Sequence, residues 1–118
     1  MAAPVLIVDS NRDGLEMYVT ALALEGIHAA GASSACEALD VIARTHPRAL
    51  VTELRLPGTG GAQLIERVRR NQPATFIVGL ASSEGIDSRE AREAGCDVVL
   101  QMPCLPETLV AQLRRALA

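Results

Sequence analysis

With 118 residues, 49% of them hydrophobic, the chain has the length for one domain that buries roughly two-thirds of its unfolded surface, and none to spare for a second. Its net charge is −3, and its eleven basic residues are all arginines, scattered so that only Arg69-Arg70 and Arg114-Arg115 are adjacent; this excludes the basic stripe of a nucleic-acid binder. The apolar run Ala2 to Val8 lacks a basic flank and falls far short of the roughly 20 residues of a membrane span, so the chain reads as a soluble, cytoplasmic domain covering 1–118 with no membrane partner.

In chain order, the first predicted strand, near 5–8, is Val5-Leu6-Ile7-Val8, and it runs directly into an acid, Asp9. A helix near 12–25 follows, with Leu15, Tyr18, Val19 and Leu22 on one face and Met17, Ala21 and Leu24 roughly opposite. That second face is more apolar than solvent requires, which marks it as a candidate partner surface. Gly26 stops the helix ahead of a strand near 27–30. Ser34, with Glu37 three residues on, forms a capping box for a helix near 35–45.

The third strand, near 49–53, is Ala49-Leu50-Val51-Thr52 and again ends on a single acid, Glu53, followed by Leu54-Arg55-Leu56-Pro57-Gly58. A helix near 61–71 leads to a strand near 75–80, whose end is Leu80, Ala81 and Ser82. Asp87 and Glu90 give a weaker cap for a helix near 87–94, and Gly95 ends it. The last strand, near 98–101, ends on Gln101, Met102 and Pro103, and Pro106 suits the first turn of a helix near 106–117. Cys36, Cys96 and Cys104 have no C-x-x-C spacing and leave an odd one over, so metal or disulfide use is not expected and they read as small, partly buried side chains in a reducing compartment. His28 and His46 stand alone and read as structural or solvent-facing.

Five strands alternating with five helices predict an α/β fold: a flavodoxin-like, doubly wound parallel sheet in the order 2-1-3-4-5. In such sheets ligands bind at the carboxyl ends of the strands where the strand order reverses, which here lies between strands one and three. Asp9 and Glu53 end those two strands and should face one another over a shallow pocket. Without a nearby cation, two facing carboxylates raise one another's pKa.

The distributed pattern of Val5 to Asp13, Gly26, Glu37-Ala38-Leu39, Leu54 to Gly58 with Gly61, Ala94 to Asp97, and Pro103 with Leu105-Pro106 resembles response-regulator receiver domains from end to end. The resemblance implies a module in which a kinase phosphorylates an aspartate beside Mg²⁺, and the phosphoryl group reshapes the face of helix four, strand five and helix five. It also implies a cis peptide at Met102-Pro103. Matched residue by residue, this chain departs from that chemistry. Ser10 stands where the second, directly metal-ligating acid belongs, leaving Asp9 as the one residual metal candidate. Glu53 stands at the phosphoacceptor position, and the Arg55 backbone carbonyl aligns with a metal ligand. Ala81 replaces the hydroxyl residue, Met102 the lysine and Val99 the switching aromatic. Ser82 cannot simply replace Ala81, because neighbouring side chains on a strand point to opposite faces.

These departures lead to the expectation of an atypical, pseudo-receiver acting in two-component or phosphorelay signalling without catalysis, as a phosphorylation-independent protein-interaction module. Mg²⁺ binding is expected to be weak or absent, with no other cofactor. The expected partner is a histidine kinase, another response regulator or an output protein, with the chain itself a monomer or weak homodimer. Candidate contacts are Arg89, Arg92, Gln101, Gln112 and Arg115, or Met17 and Leu24 on the first helix. The alternatives are an active receiver phosphorylated at an altered pocket, and Glu53 as a constitutive phosphoaspartate mimic whose extra methylene advances the carboxylate by roughly 1.5 Å. A flavin or cobalamin binder on the same architecture lacks a hydroxyl-rich phosphate loop after strand one.

Overall fold

Alternation along the central strands divides the interior into two apolar layers. The computed structural model describes residues 3–58, 60–81 and 86–118, and in it Leu6 and Val8 of β1 (Val5–Val8) face one layer while Val5 and Ile7 face the other. The first layer holds Leu50 of β3 (Ala49–Glu53) and Ile77 and Ala81 of β4 (Phe76–Ala81). It is covered by α2 (Ala35–Thr45), α3 (Gly61–Asn71) and α4 (Ile86–Ala94). The second holds Val51, Val78 and Leu80, covered by Tyr18 and Leu22 of α1 (Arg12–Leu24) and by Leu109, Val110 and Leu113 of α5 (Pro106–Leu117). With β2 (Ala29–Ala32) and β5 (Val98–Gln101) at its edges, the parallel sheet has the order β2-β1-β3-β4-β5, as expected from the sequence.

All five helices and four of the five strands lie within a residue of their expected bounds. The exception is β2, displaced by two residues from 27–30 to Ala29–Ala32. Ile27 belongs to the end of α1 instead: Gly26 at φ +79° donates its amide to Ala23 O, and the Ile27 amide donates to Leu22 O. This six-to-one closure packs Ile27 beside Leu22 in the core, so its apolar character serves the helix end and not the strand. β2 itself is Ala-Ala-Gly-Ala, and Gly31 lets Leu15 of α1 approach to where a Cβ would meet it at 3.0 Å.

Ser34 caps α2 as expected, accepting the Glu37 amide at 3.1 Å, but Glu37 reaches back to the amide and hydroxyl of Ser33, one residue beyond the usual reciprocal bond. Glu90 is described, whereas the Asp87 side chain and Ser82 lie outside the described residues. Met102-Pro103 is cis.

The start of α3 fixes the end of β3. A Cβ built on Gly61 would fall 2.1 Å from the Glu53 carbonyl oxygen and 2.7 Å from Leu54 Cα, and the Gly61 amide donates to Leu54 O at 3.0 Å. Only glycine permits that approach. Gly61→Ala should destabilise the fold by about 2 kcal/mol or more through forced backbone displacement. Gly60→Ala, whose Cβ meets only Leu54 O at 3.9 Å, should cost about 1 kcal/mol or less. Urea unfolding of the two variants measures the difference.

Candidate functional site

Parallel pairing of β1 with β3, Val8 opposite Thr52, brings Asp9 and Glu53 side by side at the carboxyl edge. Asp9 is 5% exposed, its amide donating to Ala32 O and its Oδ1 accepting the Asn11 amide at 2.8 Å. Asn11 in turn caps α1 by accepting the Gly14 amide, and a Cβ on Gly14 would lie 2.9 Å from Asp9 Oδ2. The chain thus wraps closely around one carboxyl group.

Glu53 is half-buried, and Ser10 closes onto it twice: the Ser10 amide donates to Oε1 at 2.7 Å and the Ser10 hydroxyl to the same oxygen at 2.5 Å. The Glu53 carboxylate is therefore drawn across to the β1 side. Burial raises the pKa of Asp9 above its ordinary value of 3.8, the Asn11 amide opposes the rise, and the charge and hydrogen bond of Glu53 add to it. Glu53 thus adds to a rise at Asp9 that burial dominates.

The remaining pocket positions are apolar and face different layers. Ala81 is fully buried beneath α4, and its carbonyl accepts the Met102 amide at 2.8 Å. Val99, opposite Gly79, packs against the same layer. Met102 instead joins the layer of α1 and α5, where the Tyr18 hydroxyl lies 3.9 Å from its Sδ. Tyr18 was legible as a core residue of α1, but its hydroxyl does more: it donates to Cys104 O at 3.0 Å and lies 3.5 Å from Cys104 Sγ, tying α1 to the loop after β5. Burial and Cys104 push the phenol's pKa strongly upward. No local signal in the sequence joins residues 18 and 104. Arg55 is exposed and engaged in an interaction of its own.

Of the candidate contacts, Arg89 pairs with Glu93 at 3.1 Å, Arg92 is exposed, and the Gln101 amide group donates to Ser88 Oγ. Gln112 and Arg115 do not share a local surface with Gln101. They line a depression with Phe76, Asp97 and Val98, at the amino ends of β4 and β5. Met17 and Leu24, 47% and 81% exposed, lie on α1, and with Leu105 at 66% they are the large exposed hydrophobic residues among those described.

The sequence matches the family described as the response regulator receiver domain over residues 5–114. The chain belongs to this receiver-domain family. It is 30% identical over 118 residues, 99% of its length, to the response regulator MprA of Mycobacterium bovis, and 36% identical over 99 residues, 83% of its length, to a response regulator receiver protein of Anaeromyxobacter. It spans 51% and 42% of those relatives, about half of their length. A CheY-like receiver domain protein from Methanospirillum hungatei superposes with a TM-score of 0.90 over 99% of this chain and 94% of its own, and at 23% identity it attests the fold. Receiver domains are signalling modules of two-component response regulators that work through protein partners. No helix among the described residues is long and apolar enough to cross a membrane.

The raised pKa of Asp9 has a sign that can be measured. Between 3.8 and the raised value the folded chain holds a proton that the unfolded chain has lost, so this contribution to stability is full below 3.8 and is lost as pH rises through the folded value. Asp9→Asn keeps the acceptor for the Asn11 amide and removes the buried charge. It should melt at a higher temperature than the unsubstituted chain at pH 7, with the advantage shrinking as pH falls toward 4, as thermal melts across that range will show.

Proposed function

We propose that this receiver domain is a pseudo-receiver: a phosphorylation-independent interaction module of two-component signalling. The observation that carries this reading is the pair of hydrogen bonds from Ser10 to Glu53. A receiver pocket needs carboxylate oxygens turned toward Mg²⁺, and this pocket offers a neutral hydroxyl that is itself donating to its neighbour. Asp9 adds one buried carboxyl group, with one oxygen already accepting a backbone amide. The residues present do not fit a tightly held divalent ion.

The readers of a phosphoryl group are missing in a consistent way. Ala81 has no hydroxyl, Met102 no charge and Val99 no aromatic ring, and all three pack into apolar layers. Drawn onto Ser10, Glu53 also points away from the β4 side where a phosphoaspartate would be read, which argues against constitutive mimicry. An active phosphoacceptor with altered chemistry remains the alternative that experiment must separate.

For the partner surface, the exposed apolar residues favour the seam of α1 and α5. Ala21, Leu24, Pro106 and Val110 line a groove there of about 310 Å³, flanked by Glu25 and Glu107, with Met17 one turn before Ala21 on α1 and Leu105 just ahead of α5. A protein partner with complementary apolar and basic side chains suits that seam. The double variant Met17→Asp, Leu24→Asp should abolish recovery of the native partner from cells, while charge reversal at Arg92 and Arg115 should leave it bound. The opposite pattern would move the interface to α4 and β5.

Restoring the pocket separates the pseudo-receiver from the active alternative. Mg²⁺ at low millimolar concentration should give no saturable NMR shifts at Asp9, Ser10 and Arg55, and Glu53→Asp alone should remain unlabelled by a small phosphodonor. Phosphoryl transfer depends on metal, cation and hydroxyl meeting the group together. The combination Ser10→Asp, Glu53→Asp, Ala81→Thr and Met102→Lys should gain Mg²⁺ shifts and slow labelling visible by mass. Equal labelling of the single and fourfold variants would sink the proposal that the losses act as a unit.

A further inference from the structure

The geometry points to a second site, at the opposite end of the sheet, for a ring-bearing phosphate ester of mononucleotide size. A cleft of about 440 Å³ opens there between two loops, His46-Pro47-Arg48 before β3 and Gln72 to Thr75 before β4, with Phe76 among its lining residues. That volume is within the range of small-molecule sites.

Both walls are held in place. Arg48 donates its amide to Pro4 O at 2.8 Å and accepts the Phe76 amide at 2.9 Å, so its backbone is fixed by the start of the sheet. The facing loop is pinned from behind by Arg69, whose Nη1 donates to Pro73 O at 2.8 Å and Thr75 O at 3.0 Å. Arg69 is itself fixed by Asp97 at 2.6 Å and by Gly95 O. A preformed cleft spares a ligand the cost of ordering its site.

His46 is the least expected residue in this region. It ends α2 in the left-handed conformation, φ 46° and ψ 64°, where glycine or asparagine is usual, and it does so immediately before a proline, which further restricts its backbone. A β-carbon there costs stability, and the histidine sits where the 440 Å³ cleft meets a neighbouring one lined by Arg67 and Asn71. With Pro47 buried between them, His46 and Arg48 both line the larger cleft.

The chemistry of the lining selects the ligand. Among the described residues no carboxylate side chain lines the cleft, and Asp97, behind the loop that Arg69 braces, is already engaged by Arg69. Arg48 makes one side-chain hydrogen bond, to Leu117 O at 3.5 Å, leaving most of its fork of donors for a planar or tetrahedral anion. Pro73, Ala74 and half-buried Phe76, the chain's single phenylalanine, give the apolar area on which a flat ring would rest.

AMP, adenosine and inorganic phosphate serve as probes in an NMR titration of the whole chain. AMP should shift the amides of His46, Arg48, Thr75 and Phe76 saturably with a Kd of about 1 mM or tighter, and adenosine or phosphate alone should bind at least about tenfold more weakly. Arg48→Ala, at an exposed position, should weaken AMP by about tenfold. His46→Gly should raise the melting temperature by relieving its backbone while weakening AMP, two opposite effects that a merely structural histidine would not give. Absence of saturable shifts with AMP, equal binding of adenosine, or unchanged affinity in Arg48→Ala would each overturn the site. None of these results bears on the pocket of Asp9 and Glu53, which lies at the other edge of the sheet.

Discussion

In-register parallel pairing of β1 with β3 is the constraint on which the chemistry of this domain depends. Val5 to Val8 oppose Ala49 to Thr52, and all eight side chains are buried, the seven apolar ones divided between the two helical layers. A slip of one residue would exchange the layers for every side chain on the strand, so the register is strongly specified. The same register leaves Asp9 and Glu53 adjacent, and Gly61 then holds the Glu53 backbone from the far side. The pocket's acids are neighbours because the core admits no other pairing.

Once the acids are neighbours, something must compensate their formal charge of −2. A typical receiver pocket does so with a lysine and a divalent ion, and this chain contains no lysine at all. Its compensation is local and uncharged: a hydroxyl and two backbone amides donate to the carboxyl oxygens, and burial favours a proton on Asp9. Within the proposed reading these features form a consistent set. Replacing an acid with Ser10 removes one charge to be balanced and supplies the donor that closes the gap, while Met102 is released to pack with Tyr18.

The fold was legible because its signals are local and agree with one another. Apolar runs of four to six residues, glycines at helix ends, and serine or proline at helix starts all place the elements within a residue or so. β2 was misplaced because Ile27, apolar and next to a glycine, fits a strand start and a helix closure equally well, and only the hydrogen bond to Leu22 O distinguishes them. The acids of the pocket were legible from topology alone. What sequence could not supply were long-range donors and acceptors: the bond of Ser10 to Glu53 spans 43 residues and that of Tyr18 to Cys104 spans 86. Gln112 and Arg115 were grouped with Gln101 because the resemblance to receivers implies one face of helix four, strand five and helix five, yet half a helix of rise carries them to the other end of the sheet.

The domain is polar along its strands, and this organises its surfaces. Its carboxyl edge carries the two acids and the loop held by Tyr18, while arginines concentrate around the amino edge, where three of them are consumed by ion pairs and Arg69 also braces the loops. Between the two edges runs the seam of α1 and α5, where exposed Met17, Leu24 and Leu105 are located. Tyr18 lies beneath this seam and touches both Met102 and Cys104, so a partner that displaced α1 would move the pocket's own loop through one buried phenol. Within the proposed reading, this contact would let a binding event at the seam and the geometry at the strand ends report on each other without a phosphoryl group as intermediary.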